Sequence, residues 1–410
     1  MVLAPKLGAQ TWRPNLAPKL GAQAGARDRG RIATPMSRIV RFEVGRLDYE
    51  LVGEFKFFKT PVRPSIVVRL TDENGVQGWG QSVPVETWTY ESVETVETTL
   101  RHYLAPVILG AEPSDLAAIH ERMDRAIRPS FSVGQPVCKA AVDLACYDLW
   151  GKQTNRSVSE ILGGARQKQV KLSWTIQSPT MAGAETQLAL ARTRGYDSFN
   201  IKLGYPQTPE YDLQLVRTVC NFAPNGFHWA DANTNYDVET ALAMAPKLAE
   251  AGLKGLESPL PANLIRGYQS LRRQGALPIL MDEGIVSPVE VAEFIALEMF
   301  DGIAMKVARC AGLWNASRIV SLLRENNLLV FASGLTDPDL SLAASAHLFA
   351  WAGLTIPAAL NGPQYISAGG TTDPTLRANG DIIRVPAAAG LGITLDERAE
   401  KSMTIAAEAR

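Results

Sequence analysis

The chain has 410 residues, with 41 lysines and arginines against 42 acidic residues and an apolar share of 46%. That balance excludes a strongly basic protein built to hold nucleic acid or an anionic membrane surface, and the length allows one large barrel or two to three ordinary domains. No apolar run approaches the roughly 20 residues of a membrane span, and Cys138, Cys146, Cys220 and Cys310 stand far apart without zinc spacing, as the reduced thiols of a cytoplasmic protein do.

The octapeptide "LAPKLGAQ" occurs at residues 3–10 and again at 16–23, ahead of an Ala-, Gly- and Arg-rich stretch. Residues 1–36 therefore read as a disordered leader. From Ser37 the segments "SRIVRFEVGRLDYEL" and "PSIVVRLTDENGVQGWGQ" alternate apolar and polar residues around the turn signal Glu73-Asn74-Gly75, which predicts paired strands. Helical periodicity follows through "TYESVETVETTLRHYLAPVIL", "PSDLAAIHERMDRAI" and "QPVCKAAVDLACYDLWGKQ". Strands followed by helices predict an α+β capping domain over residues 37–164.

After Gly164 short apolar strands alternate with amphipathic helices, the pattern of βα units around a parallel sheet. Eight strands are expected: "VKLSWTI", "SFNIKLG", "GFHWADAN", "LKGLESP", "LPILMDEG", "DGIAMKVAR", "LLVFASG" and "IPAALNG". The fold class is α/β, a (β/α)8-type barrel over residues 165–365. Residues 366–410 are glycine-rich and irregular apart from "DIIRVP", and are expected to pack back on the capping domain.

In such barrels the active site lies at the C-terminal ends of the strands. The second to sixth strands end in Lys202, Asp231, Glu257, Asp282 and Lys306. Three carboxylates arriving at one mouth need a cation, because an ionised carboxylate is costly to bury alone. Oxygen ligands alone favour a hard ion such as Mg2+, and no His or Cys stands at an equivalent strand end to favour zinc. The two lysines come from opposite sides of the barrel, so a metal-bound substrate would lie between them. Singly, each acid reads as a helix cap or solvated loop residue and each lysine as a surface residue; five in register do not. His228 and His347 read as packed residues rather than bases.

The ordered set "VQGWGQ", "KAAVDLACYDLWGK", "ILGG", "DAN", "LESPLP", "LMDEG", "DGIAMK" and "GLGI" resembles the enolase superfamily, in the muconate lactonizing subgroup of its mandelate racemase/muconate lactonizing enzyme family. The resemblance runs from Ser37 to about Asp396. It implies Asp231, Glu257 and Asp282 as Mg2+ ligands, Lys202 and Lys306 as acid/base groups, and Asn200, Asn233 and Glu283 as their supports. One position departs from the family's Lys-x-Lys: Asn200 stands where the first lysine would be, which bears on the substrate more than on the reaction type. Substrate choice would lie with the cap loops at residues 53–60 and 85–92. There Phe57, Trp88 and Tyr90 are candidate contacts, and Lys56 and Lys59 are candidates to meet an acidic substrate.

The expected activity is removal of the proton α to a carboxylate through an enediolate, in a racemase, epimerase or cycloisomerase acting on a carboxylic or amino acid derivative. The alternative is a hydro-lyase for a hydroxy acid or hydroxyproline-like substrate, and a third reading is a barrel that binds metal without turnover. The resemblance also implies a homo-oligomer.

Overall fold

The computed structural model describes residues 37–53, 57–58, 60–129, 131–367 and 376–409. The expected leader, Lys56 and Lys59 lie outside the described residues. Strand β1 (Ile39–Arg46) pairs antiparallel with β2 (Ile66–Asp72), and β2 with β3 (Gln77–Ser82). Their alternation buries Phe42, Val44, Val68 and Leu70 against the 19-residue helix Pro136–Thr154. The glycines of "VQGWGQ" permit that contact: a Cβ on Gly80 would meet the Ala141 carbonyl, and one on Gly78 the backbone of Ala145 and Leu149.

The barrel strands are β4 (Trp174–Ile176), β5 (Phe199–Lys202), β6 (His228–Asp231), β7 (Leu256–Glu257), β8 (Ile279–Met281), β9 (Gly302–Met305) and β10 (Leu329–Ala332). All seven are parallel and sit in sequential order in one sheet. Helices separate consecutive strands and carry clear start signals. Thr208 caps Pro209–Phe222, Asp237 caps Val238–Glu250, and Ser287 with Glu290 forms a capping box on Pro288–Ala296.

Two expected strands differ from the prediction. The first divides: Gln169–Lys171 pairs antiparallel with Ile382–Arg384, outside the barrel, and only Trp174–Ile176 enters the sheet. The eighth shrinks to parallel bridges at Ala358 and Ala359, whose N–H groups bond Lys171 O at 2.7 Å and Ala332 O at 2.8 Å. Pro357, with no N–H to offer, precludes a longer ladder there.

The tail returns to the cap as β11 (Thr404–Glu408), which pairs antiparallel with β1 and forms the sheet's outer edge. Its sequence, TIAAE, has little strand character of its own; backbone pairing supplies it. The described residues make one compact unit, and cap and barrel share a continuous core. Asp143 of the long cap helix accepts the N–H of Leu313 at 2.6 Å and of Trp314 at 3.3 Å, holding the start of barrel helix Leu313–Glu325. No helix among the described residues is long and apolar enough to cross a membrane.

Candidate active site

The floor of the barrel mouth is apolar. Trp229, Leu280, Phe331 and Ala359 pack as one buried group, with the rings of Trp229 and Phe331 edge to face at 5.5 Å. Side chains alternate along a strand, so the residues two positions past Trp229 and Leu280, Asp231 and Asp282, also point inward one layer higher. Above this floor the ligand oxygens of Asp231, Glu257 and Asp282 lie within 4.8 Å of one another, and all three residues are buried.

Each carboxylate is held differently. Asp231 accepts from Lys202 Nζ at 2.5 Å, from the Asn233 backbone N–H at 2.8 Å and from Asn233 Nδ2 at 3.0 Å. Glu257 Oε2 accepts from Trp229 Nε1 at 2.9 Å, whereas its Oε1 is buried without a hydrogen bond, 3.9 Å from Lys306 Nζ. Asp282 receives Lys306 Nζ on one oxygen and Arg309 Nη1 on the other, and its N–H donates to Ser258 Oγ at 3.1 Å. Burial, and then the like charge of Asp231, pushes the Glu257 carboxyl up to about 7, against the pull of Lys306 and Lys202. The turns leaving β6 and β7 are tight: Asn233, Thr234 and Ser258 all have positive φ, conformations a non-glycine residue keeps only where its surroundings enforce them.

The donor set fits a hard divalent cation: three oxygen ligands and no sulfur or nitrogen ligand in the cluster, with one inward oxygen of Glu257 lacking a hydrogen bond.

Both lysines line one cavity, together with Phe57, Phe58, Trp88, Thr175, Asn200 and Asn361. Lys202 ends β5 and Lys306 follows β9, so three strands of the sheet, β6 to β8, lie between them. Trp88 closes the mouth from the cap. Its Nε1 donates to Glu283 Oε1 at 2.8 Å, and Lys306 Nζ lies 5.0 Å from its ring centroid. Glu283 also accepts from Asn233 Nδ2 at 3.2 Å, which links Trp88 to Asp231 through two side chains.

The five strand-end residues thus come together, and Asn233 and Glu283 support them. Asn200, expected as a third support, is not one: its Nδ2 has no hydrogen-bond partner and the residue lines the cavity. Phe57 and Trp88 line the cavity, whereas Tyr90 lies outside it, 71% exposed and with φ 55. The turn at Val85–Thr89, whose Trp88 and Thr89 N–H groups both donate to Val85 O, leaves the Tyr90 side chain exposed. His228 Nε2 donates to Ala223 O, and His347 is fully buried between Ser159 and Leu391; neither lines the cavity.

Sequence reasoning missed Arg309, Thr175, Ser333 and Asn361. The strand-end rule that found Lys202 would have found Ser333, which follows β10, and Asn361, which follows the eighth-strand bridges. Thr175 is a polar residue inside an apolar strand, the signal of an inward contact. Arg309 carries no such local mark.

Sequence models of two families match the chain: the mandelate racemase/muconate lactonizing enzyme N-terminal domain at residues 59–163, and the enolase C-terminal domain-like family at residues 184–399. Muconate cycloisomerase 1 of Rhodococcus opacus is 29% identical over 373 residues, covering 89% of this chain and 98% of its own. N-succinyl-L-Arg/Lys racemase of Bacillus cereus is 26% identical over 345 residues, covering 83% and 90%. Among solved structures, 2-chloromuconate cycloisomerase from Rhodococcus opacus 1CP aligns with a TM-score of 0.81 at 25% identity, covering 90% of this chain and 99% of that one.

Proposed function

Because the chain belongs to the mandelate racemase/muconate lactonizing enzyme family of the enolase superfamily and is an isomerase of that family, we propose that it inverts the carbon α to a carboxylate, by racemisation or epimerisation of a carboxylic or amino acid derivative. The observation that supports the reading is that Lys202 and Lys306 line one cavity from strands β5 and β9, while the three strands between those carry the clustered carboxylates Asp231, Glu257 and Asp282.

Asp231, Glu257 and Asp282 would hold Mg2+. Such an ion supplies electrostatic stabilisation of the negative charge that builds on the substrate carboxylate when the α-proton leaves.

The remaining work falls to this chain's own side chains. Lys202 removes the α-proton from one face, which leaves an enediolate, and Lys306 returns a proton to the other. In the reverse direction the two lysines exchange roles. Asn233 and Trp229 orient Asp231 and Glu257 through the hydrogen bonds described above. Arg309, 3% exposed, fixes the far oxygen of Asp282. Trp88 and Phe57 cover the mouth and limit water, which strengthens every charge interaction inside.

The test is exchange in D2O. The protein with Mg2+ is expected to place deuterium on the α-carbon of its substrate and to interconvert the enantiomers. Lys202→Ala should cut the rate by about 10²- to 10⁴-fold, the contribution of a positioned acid/base group, while Mg2+ binding measured by calorimetry persists. A full panel of acids with no α-deuteration would overturn the reading. A keto product formed from a hydroxy acid would replace it with dehydration.

A further inference from the structure

Arg63 is fully buried and takes no part in the cluster described above. It ends the short cap strand Val62–Arg63, which pairs antiparallel with Tyr49–Glu50. Its hydrogen bonds to described residues all go to backbone carbonyls. Nη2 donates to Val83 O at 2.8 Å, Nη1 to Pro84 O and to Pro64 O at 2.8 Å, and Nε to Thr336 O at 3.3 Å. Its Cζ also lies 5.3 Å from the centroid of the Phe58 ring. A charge is costly to bury, and a side chain that only filled space here would be apolar.

These partners lead to the cavity. Phe58 and Thr336 line it, and so does Val85, the residue after Pro84. Phe58 and Val85 belong to cap loops, whereas Thr336 belongs to the barrel loop that follows β10. One guanidinium therefore holds the cap half and the barrel half of a single wall. The packing behind that wall is thin: Val83, Val137, Ala308 and Leu335 form a small buried group of their own, with Trp88 against it. Thr336 has φ 54, a conformation that its surroundings must enforce, and its carbonyl is the atom Arg63 holds.

The chemistry of arginine suits this task. Its planar group offers five N–H donors in fixed directions, whereas an ammonium offers three on a flexible stem. Burial lowers the guanidinium to about 10 and the buried Asp337 pulls it back up, so it stays charged at neutral pH. Asp337 accepts from Leu335 N–H at 3.2 Å and from Ser345 Oγ at 3.3 Å, which fixes the barrel side of the wall.

The three carboxylates and two lysines serve the substrate carboxylate and its α-carbon, and Phe58, Val85 and Thr336 belong to neither set. Resting on the α-proton chemistry above, we propose that Arg63 is a positioning residue for substrate selection, setting Phe58, Val85 and Thr336 as one wall that receives the part of the substrate remote from the reacting carbon.

The experiment uses the full chain with Mg2+, labelled with 5-fluorotryptophan and read by 19F NMR, the Trp88 line being assigned with Trp88→Phe. Arg63→Lys is expected to shift the Trp88 line while those of Trp314 and Trp351, which do not line the cavity, stay in place. An unmoved Trp88 line would overturn the proposal, and so would equal shifts of all three, the sign of general loosening. On the acid that exchanges fastest in the D2O panel, Arg63→Lys should raise KM about tenfold with kcat nearly unchanged, the pattern of a lost binding contact. A fall in kcat at constant KM would refute a role in binding. Arg63→Ala should regain a low KM in millimolar guanidinium chloride but not in potassium chloride at the same concentration; equal effects of the two salts count against the proposal. Phe58→Leu keeps every Arg63 hydrogen bond and should also raise KM, so it carries the test if Arg63→Ala shows no Mg2+-induced rise in Tm. Unchanged KM in both Arg63→Lys and Phe58→Leu would overturn the selection role. If no acid exchanges, the isomerase reading fails, and the 19F lines still decide whether Arg63 holds the wall.

Discussion

Glu257→Gln separates what this site costs the fold from what it gives to metal binding. Glu257 is buried, one oxygen bonded to Trp229 Nε1 and the other bonded to nothing. Burial and the neighbouring Asp231 push its carboxyl from 4.5 up to about 7. The unfolded chain releases this proton near 4.5 and the folded chain only near 7, so between those values the folded state binds the more protons. Its stability therefore falls as pH rises through the interval, and the loss is complete above it. At about 1.36 kcal/mol per pH unit the full loss is about 3 kcal/mol. Glutamine imitates the protonated form in shape and keeps an acceptor for Trp229. In EDTA at pH 8 the variant is expected to be more stable than the parent by about 2–3 kcal/mol, or about 3 °C in Tm for a chain of this size, with most of the difference gone at pH 5. Mg2+ should close that gap: at a hundredfold excess over Kd the parent gains about 2.7 kcal/mol, while the variant, one carboxylate short, gains little. Thermal melts at both pH values, with and without Mg2+, give all four numbers. A variant less stable than the parent at pH 8 in EDTA, or one with an undiminished Mg2+ response, refutes the electrostatic account.

Lys306→Ala is expected to abolish inversion while one enantiomer still exchanges its α-proton through Lys202, read by NMR in D2O; loss of exchange from both enantiomers would show that the lysines do not divide the two faces. Trp88→Phe keeps a ring near Lys306 but removes the hydrogen bond to Glu283, and should raise KM about tenfold or more, the worth of one hydrogen bond to a charged group, with kcat nearly unchanged in steady-state assays. Gly312→Ala tests the junction of cap and barrel. Gly312 has φ +104, and a Cβ there would land on the Asp143 carboxylate that accepts from Leu313. The change should cost about 2–4 kcal/mol in a denaturation assay, with turnover per folded molecule preserved.

The five strand-end residues are legible in the sequence because a barrel strand and its helix form a local unit. Hydrophobic periodicity marks where each apolar strand stops, and a parallel barrel brings all those stops to one face. Lys202, Asp231, Glu257, Asp282 and Lys306 follow from that rule alone. The same rule located β5 to β10 but overcounted at the seam. Whether 170–176 and 356–362 ladder fully depends on which neighbour each reaches, and Pro357 and the strand Ile382–Arg384 settled that.

Contacts between residues remote in the chain left no such periodic trace. Trp88 meets Glu283 across 195 positions, and Asp143 caps the helix at Leu313 across 170. Arg309 reaches Asp282 only because β8 and β9 are neighbours. Tyr90 and Trp88 sit two residues apart in a loop with no repeat to tell an inward ring from an outward one, and the backbone turn between them sent one to the cavity and the other to solvent. Local pattern thus determined which residues stand at strand ends. Packing decided which of them touch and which cap residue covers them, because those contacts depend on how distant segments meet, and that is a property of the assembled core rather than of any short stretch of chain.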